Sequence, residues 1–395
     1  MTSLEDELDE PSQQLYQTLR DSITACLSTR RPLLTHLNAD TTWLLSLPIP
    51  PSHTSRRRRR YFHILIDPWL TGPQSDVAAF FSTQWHAIPS CCQTIKEVEE
   101  VIQGIEDVVA GSEKQSSKDT ETKARPGMKR METEDVIVVD TDPGNGTKDL
   151  GNGVGLDKQD EKEEQDGEEG WIDAVVVSHE FTDHMHQPTL LSLPPSVPVF
   201  ATAKAYSIIK SWKHFHVVLP ISRFSGDWTE ERPGAEILPD WIGVHRVAYA
   251  GNDLLYYHSA ILISFNSETG EEVEGVIYTP HGISPSDLAP ITTSSPTIKI
   301  LALLHGLQDI SLQSWLKTAQ LNMGAHNGLK VVRMLRVKYW VGTHDEVKKG
   351  GGVVGWFLKR VGVSLEEALK REGVGERGEE VKFVEVGNGE SLVLE

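Results

Sequence analysis

Residues 175–186 have the sequence VVVSHEFTDHMH, a short apolar run followed at once by three histidines and an aspartate. An apolar run of this length predicts a buried strand, and polar side chains then emerge together where the strand ends. Imidazole and carboxylate groups at this density suit Zn²⁺, or a metal such as Mn²⁺ or Fe²⁺. The alternative is that the histidines lie at the surface and that Asp183 caps a following helix. Because the groups occur together, the metal site is favoured.

Three further segments also place polar residues just beyond an apolar run. They are IDPW at 66–69, VIYTPHG at 276–282 and YWVGTHD at 339–345. An α/β scaffold commonly builds its sites beyond the ends of its strands. We therefore expect these three segments to meet the histidine-rich segment at one edge of the fold.

Composition and charge restrict the function classes. The chain has 395 residues, with 38 Lys and Arg against 57 Asp and Glu, and its formal net charge is −19. Such an acidic balance argues against general affinity for nucleic acid. The sequence has no apolar run long enough to span a membrane and no secretory signal, and Cys26, Cys91 and Cys92 fit no zinc spacing. These features predict a reducing compartment, by default the cytoplasm.

The domain organisation follows from shifts in composition. Residues 111–170 are acidic and rich in Gly and Ser, which predicts a disordered insertion. We expect an N-terminal helical extension over 1–39 and one domain over 40–395 that this insertion interrupts. The run Arg56 to Arg60 is interpreted as a solvated hairpin tip, with nuclear import through this patch as the alternative.

The remaining pattern predicts many strands first and helices interleaved later. Predicted strands cover 42–47, 61–66, 174–178, 197–202, 216–219, 260–265, 275–279, 298–304 and 338–342. Predicted helices cover 12–28, 91–109, 202–212, 311–321, 325–335 and 364–372. At the end of the chain, the Gly-Asn-Gly turn predicts a hairpin between 381–386 and 391–394.

In order and type, these features resemble the metallo-β-lactamase superfamily, whose hallmark is HxHxDH after a hydrophobic strand. Here His179, Phe181, Asp183 and His184 stand at the hallmark positions. The resemblance runs from about residue 40 to the C-terminus, apart from the acidic insertion. It implies an α/β (α+β) fold, namely an αββα sandwich of two mixed sheets with helices outside and a polar site at one edge.

The chain departs from the hallmark in two places. Phe181 replaces the second histidine, and Pro280-His281 stands where a bridging aspartate is expected. The DHxH arrangement at 183–186 and the Pro-His pair resemble the lactonase and phospholipase-D-like branch. Two metal positions that share a bridging aspartate are therefore not expected.

The resemblance implies one divalent metal ion, Zn²⁺ or else Mn²⁺ or Fe²⁺, held by Asp183, His184 and His344. His179 or His281 would complete this set. The mid-chain histidine of the superfamily corresponds either to His245 or to His258.

For function, we expect a metal-dependent hydrolase that acts on a small ester, lactone or phosphodiester through a metal-bound water. Asp183 would serve as ligand or base, and His186 or His281 would protonate the leaving group. The alternative is a catalytically degenerate protein of this fold that binds a ligand or partner without turnover. The expected partner is a small-molecule substrate; the oligomeric state is left open.

Overall fold

The computed structural model describes residues 30–53, 59–75, 82–123, 170–230, 234, 236–248, 257–266, 272–313, 318–351, 358–371 and 381–395. The strands are β1 Leu33–His36, β2 Trp43–Pro48, β3 Tyr61–Ile66, β4 Thr83–Trp85, β5 Ala174–Val177, β6 Val199–Ala201, β7 Val218–Pro220, β8 Ile242–Val247, β9 Ala260–Phe265, β10 Val273–Tyr278, β11 Ile298–Leu304, β12 Gln308–Gln313, β13 Thr318–Asn322, β14 Tyr339–Val341, β15 Lys349–Gly351, β16 Leu358–Gly362, β17 Phe383–Val384 and β18 Ser391–Val393. The helices are α1 Ile95–Lys123, α2 Gln187–Leu191, α3 Ala203–Ser211, α4 Ala289–Thr292, α5 Ala325–Leu335 and α6 Leu365–Arg371, with a 3₁₀ turn at Pro285–Leu288.

Two large sheets form the centre of the fold. The first has seven strands in the order β18-β1-β2-β3-β5-β6-β7, and the second has six in the order β17-β14-β11-β10-β9-β8. Both sheets are mixed. In the first sheet, β2 pairs antiparallel with β1 and with β3, and β3, β5, β6 and β7 run parallel to one another. In the second sheet, β10 pairs parallel with β11 and antiparallel with β9. Smaller sheets are formed by β13-β12-β16 and by β15-β4.

Successive side chains along a strand point to opposite faces of the sheet. The alternation of side chains therefore decides which layer each face contacts. In β5, Val176 packs between the two sheets, whereas Val175 and Val177 pack beneath the helices. The outer cluster of the first sheet includes Val98 and Ile102 of α1. That helix presents these residues on one face, as the sequence periodicity predicts.

The second sheet is covered in the same way. Its Ile277 and Leu303 pack outward against Leu329 and Val332 of α5. Its other face contributes to the cluster shared with the first sheet. The layers are thus helix, sheet, sheet and helix, and the predicted αββα sandwich is confirmed.

Several predicted boundaries are wrong. Leu33–His36 forms β1, paired with β2 and β18, so the sandwich begins inside the predicted N-terminal extension 1–39. Helix α1 continues to Lys123, so the predicted disordered insertion 111–170 begins too early. Residues 12–28 and 124–169 lie outside the described residues.

Two segments of secondary structure also differ from prediction. The predicted helix 311–321 is instead the antiparallel pair β12 and β13, in which Leu312 lies opposite Ala319. The predicted C-terminal hairpin does not form, because β17 pairs with β14 in the second sheet and β18 pairs with β1 in the first. Because β12 also pairs with β16, partners distant in sequence override the local pattern in both cases.

The arginine run is not a fully solvated tip. Arg59 is 7% exposed, and its guanidinium donates to Asp173 at 2.9 Å and to the carbonyl oxygens of Gly170 and Trp171. Arg59 therefore fixes the segment that leads into β5. Residues 56–58 lie outside the described part of the chain. Among the described residues, none of the helices combines the length and apolarity needed to cross a membrane.

Candidate metal centre

Five side chains meet at the edge where strands of both sheets end. His179, Asp183 and His184 follow β5, His281 follows β10, and His344 follows β14. We call these five residues the His–Asp cluster. Each is at most 9% exposed. The sequence-based expectation that the strand-end segments converge is therefore correct for these residues.

The cluster contains two overlapping groups of ligand atoms. His179, His184 and His281 form one group, and Asp183, His184 and His344 form the other; within each, the ligand atoms lie within 4.8 Å of one another. His184 belongs to both groups.

The separations between ligand atoms fit a metal ion. The Nε2 atoms of His184 and His281 are 3.3 Å apart, and the Asp183 carboxylate is 3.7 Å from His184 Nε2. Its other oxygen is 3.9 Å from Nε2 of His344. Ligands of a tetrahedral ion at ~2.0–2.2 Å lie about 3.3–3.6 Å from one another. The cluster is thus close to metal-binding geometry.

His184 is oriented by a buried aspartate. Its Nδ1 lies 2.6 Å from Oδ2 of Asp67. The same Oδ2 accepts from the hydroxyl of Ser178, and Oδ1 of Asp67 accepts from the backbone N–H of Ser178. Asp67 has a positive φ of 43°, which is uncommon for a residue other than glycine. A carboxylate that accepts from the outer nitrogen of an imidazole is the usual support of a metal-binding histidine. It directs Nε2 of His184 into the cluster.

His281 and His344 are held in the same manner. The Nδ1 atom of His281 lies 2.9 Å from the amide oxygen of Asn322, and that of His344 lies 3.0 Å from Oδ1 of Asp40. Because Nδ1 of each imidazole is directed to an acceptor, the Nε2 atoms face the cluster. The Nε2 atoms of His184 and His281 are 3.3 Å apart, a separation that requires a proton or a metal ion between them.

His179 has a different environment. It is 3% exposed, and neither of its ring nitrogens has a hydrogen-bond partner among the described residues. Its ring centre lies 4.0 Å from that of His184 and 4.5 Å from that of His281. A buried polar group without a partner is costly and therefore requires an explanation. A metal ion bound by His179 supplies one.

Burial and charge set the protonation states. Burial lowers the pKa of His179 and of His281 well below the usual range, and neighbouring histidines lower both further. Burial also lowers the pKa of His344, with Asp40 opposing it. In His184 the burial effect is outweighed by Asp183 and Asp67, so its pKa is raised. Neutral imidazole is the form that binds a metal ion.

A lysine completes the surroundings of Asp183. Nζ of Lys348 lies 2.6 Å from Oδ2 of Asp183 and 2.7 Å from Oδ2 of Asp40. Burial opposes ionisation of Asp183, but the Lys348 ammonium and the nearby imidazoles hold its pKa well below the usual range. The carboxylate is therefore ionised at neutral pH.

Phe181, which stands where the hallmark has its second histidine, borders the cluster. Its ring centre is 5.0 Å from that of His179 and 5.9 Å from that of His281. His179 also lines a cavity of about 130 Å³, together with residues that include Glu180, Lys204 and Arg246. This cavity is large enough for a small chemical group beside His179.

Three predicted candidates lie outside the cluster. His186 directs Nδ1 to Thr189 and Nε2 to the carbonyl oxygen of Pro73, so neither of its nitrogens joins a ligand group. His245 directs Nε2 to the Glu230 carbonyl, and His258 directs Nε2 to that of Leu321. Of the mid-chain candidates, only His281 joins the ligand groups.

Sequence reasoning indicated one of the residues that support the ligands and missed the others. Asp67 lies in the IDPW segment directly after a predicted strand, and that position was the signal for it. Asp40 in the loop after β1, Asn322 at the end of β13 and Lys348 before β15 carried no such signal. They reach the cluster only through pairing of strands distant in sequence.

Two facing mixed sheets, helices on both outer sides and a His–Asp cluster beyond the strand ends together define a metallo-β-lactamase-like fold. This assignment of the fold rests on the layers and strand order of the chain itself.

No protein-family model and no curated protein sequence matches the chain. Among solved structures, it is similar to a possible metal-dependent hydrolase from Veillonella parvula, with a TM-score of 0.46, 12% identity, and coverage of 92% of this chain and 100% of that one. It is also similar to an isothiocyanate hydrolase from Delia radicum gut bacteria, with a TM-score of 0.46, 12% identity and coverage of 92% and 99%. A third similar structure is a metallo hydrolase from Ignicoccus hospitalis, with a TM-score of 0.42, 11% identity and coverage of 92% and 98%.

Proposed function

We propose that the His–Asp cluster binds a divalent metal ion and that the chain is a metal-dependent hydrolase of a small ester, lactone or phosphodiester. The observation that carries the proposal is the set of inward-directed nitrogens. His184 and His281 face each other at 3.3 Å with their outer nitrogens already bound to acceptors, and in the described part of the chain neither ring nitrogen of His179 has a hydrogen-bond partner. Zinc is the proposed metal, with manganese or iron as alternatives.

A divalent ion held by these residues would supply a Lewis acid and a nucleophile at neutral pH. The protein contributes fixed orientation and proton transfer. Oδ2 of Asp183 is bound to Lys348, whereas Oδ1 faces His184, and the backbone oxygen of Asp183 accepts from Thr41. Asp183 is thus positioned to orient a water molecule and to accept its proton.

His281 is proposed as a metal ligand rather than as the proton donor to the leaving group, because burial lowers the pKa of its imidazole well below the usual range. Its Nδ1 is fixed by Asn322, so only Nε2 is available to a ligand or substrate. His186 has no part in the proposal, because Thr189 and Pro73 occupy its nitrogens. The cavity beside His179 is the proposed place for the group that is cleaved, and its small volume favours small substrates.

The test begins with metal content. Untagged protein is reconstituted with Zn²⁺, Mn²⁺ or Fe²⁺ and freed of excess metal, and elemental analysis compares wild type with Asp183→Ala and His184→Ala. The matched control is His216→Ala, which removes an exposed histidine. We expect bound metal in wild type and the control, and its loss in His184→Ala. No metal in wild type after reconstitution would contradict the proposal.

The second stage tests turnover. Reconstituted wild type and His184→Ala are assayed with 4-nitrophenyl acetate, γ-butyrolactone and bis(4-nitrophenyl) phosphate, which represent the three substrate classes. We expect wild type to hydrolyse one of the three substrate classes. In His184→Ala we expect the rate of hydrolysis to fall at least ~100-fold, because loss of a metal ligand removes most of the contribution of the metal ion to catalysis.

A second candidate function is a binding module that uses the cluster without turnover. Phe181 favours it, because an apolar ring takes the place of a ligand beside His179 and His281. Metal binding without hydrolysis of any of the three substrate classes, together with restored turnover in Phe181→His, would favour this candidate.

A further inference from the structure

The ammonium group of Lys348 is buried beside the His–Asp cluster. Its side chain is 5% exposed, and Nζ lies 2.7 Å from Asp40 and 2.6 Å from Asp183. The same Nζ lies 5.3 Å from the ring centre of Trp69. Buried lysines are uncommon unless they are paired, and here two carboxylates and an aromatic face surround the charge.

The ammonium lies beside one of the two ligand groups. Asp183 is the carboxylate of the group that it forms with His184 and His344, and its Oδ2 is the atom bound by Lys348. A divalent ion bonded to that oxygen at ~2.1 Å would lie no more than about 5 Å from the ammonium. In a buried site two cations at that distance repel each other strongly. The group of His179, His184 and His281 does not include this carboxylate.

The charge balance of the buried groups also favours one divalent ion over two. Asp40, Asp67 and Asp183 are buried carboxylates, and Asp67 accepts three hydrogen bonds, as an ionised group does. With the Lys348 ammonium, these three groups leave two negative charges. One divalent ion balances that charge, whereas two would leave a buried positive excess.

We propose that the Lys348 ammonium occupies the place that a second metal ion would take between Asp40 and Asp183, so that the centre takes one divalent ion on His179, His184 and His281. This inference rests on the proposed function, because it requires that a metal binds. Lys348 is a positioning residue, since it acts through Asp183 and Asp40. Its charge keeps Asp183 ionised and holds that carboxylate beside the imidazoles.

The test counts metal ions in full-length protein. Wild type, Lys348→Met and the matched control Lys349→Met are saturated with Zn²⁺ and desalted, and the ratio of metal to protein is measured by elemental analysis. Lys349 is the exposed neighbour in the sequence. We expect about one equivalent in wild type and the control, and about two in Lys348→Met. Two equivalents in wild type, or one in a folded Lys348→Met protein, would overturn the inference and leave the proposed function intact.

A measurement on wild type alone covers the case in which Lys348→Met fails to fold. Wild type is loaded with Co²⁺ in excess, and electron paramagnetic resonance counts its spins. We expect isolated high-spin Co²⁺ at about one spin centre per chain, and a spin-coupled pair would overturn the inference. Absence of bound metal in wild type would overturn the proposed function and, with it, this inference.

Discussion

This protein has two buried groups of histidine and carboxylate residues, and they differ in their hydrogen bonding. In the first, Ser46 Oγ lies 2.9 Å from Nδ1 of His63, and Nε2 of His63 lies 3.3 Å from Glu106. We call Ser46, His63 and Glu106 the buried triad. The second is the His–Asp cluster. His63 and His184 are both fully buried, so burial does not distinguish the two groups.

Hydrogen bonding does distinguish them. In the buried triad both nitrogens of His63 have partners, and Glu106 also accepts from the backbone N–H groups of Arg60 and Tyr61. In the His–Asp cluster both nitrogens of His179 lack partners among the described residues. Although a Ser–His–Glu sequence of contacts is the order of a nucleophilic triad, Ser46 is 0% exposed within β2. The triad therefore joins sheet and helix, and the His–Asp cluster is the candidate site.

The sharpest test of this comparison replaces one histidine in each group. His63→Leu leaves Ser46 and Glu106 buried with lost partners, so we expect a loss of about 2–4 kcal/mol in the free energy of unfolding. His179→Leu removes no hydrogen bond, so we expect a change within about 1.5 kcal/mol in metal-free protein. Urea unfolding at pH 7 with a chelator measures both. Equal losses would remove the distinction between the groups.

The next test replaces the carboxylate that supports each histidine. In Asp67→Asn the charge behind His184 is lost, and we expect metal affinity to fall by about 10–100-fold. In Glu106→Gln the affinity should remain within about twofold of wild type, because His63 contacts no ligand group. Competition with a chromophoric chelator measures both constants. A comparable loss in Glu106→Gln would show that the triad supports the site.

The smallest expected effect concerns pH. Burial opposes ionisation of Glu106, but hydrogen bonds from His63 and from the backbone of Arg60 and Tyr61 lower its pKa overall. A carboxyl whose pKa is lower in the folded state stabilises the protein above its unfolded value of about 4.5, and this contribution is lost as pH falls through the folded value. We expect Glu106→Gln to cost about 1–2 kcal/mol at pH 7 and less below pH 4.5.

Urea unfolding of wild type and Glu106→Gln at pH 7, 5 and 4 measures this difference. The control is Glu272→Gln, which changes an exposed carboxyl. A difference that stays constant over the three pH values would mean that the Glu106 carboxylate contributes no charge-dependent stability.

The sequence by itself determined the local elements with strong periodicity. The apolar run before His179 forms β5, and the helical pattern over 325–335 forms α5 with the predicted limits. These predictions succeed because apolar residues that recur with a period of 2 or 3.6 indicate which face of a strand or helix is buried, whatever its distant partners are. The same logic located His179, Asp183, His184, His281 and His344, since each follows such an element.

Only the tertiary structure decided which partners those elements and side chains meet. The turn before Ser391 predicts a hairpin, yet the two flanking strands join different sheets. His184 and His186 both follow Asp183 closely in the sequence. The nitrogens of His186, however, face Thr189 and Pro73. Asp40 and Lys348 are about 300 residues apart in sequence and form an ion pair. The physical reason is that long-range strand pairing and hydrogen-bond satisfaction depend on the whole fold, whereas sequence periodicity reports only on neighbouring residues.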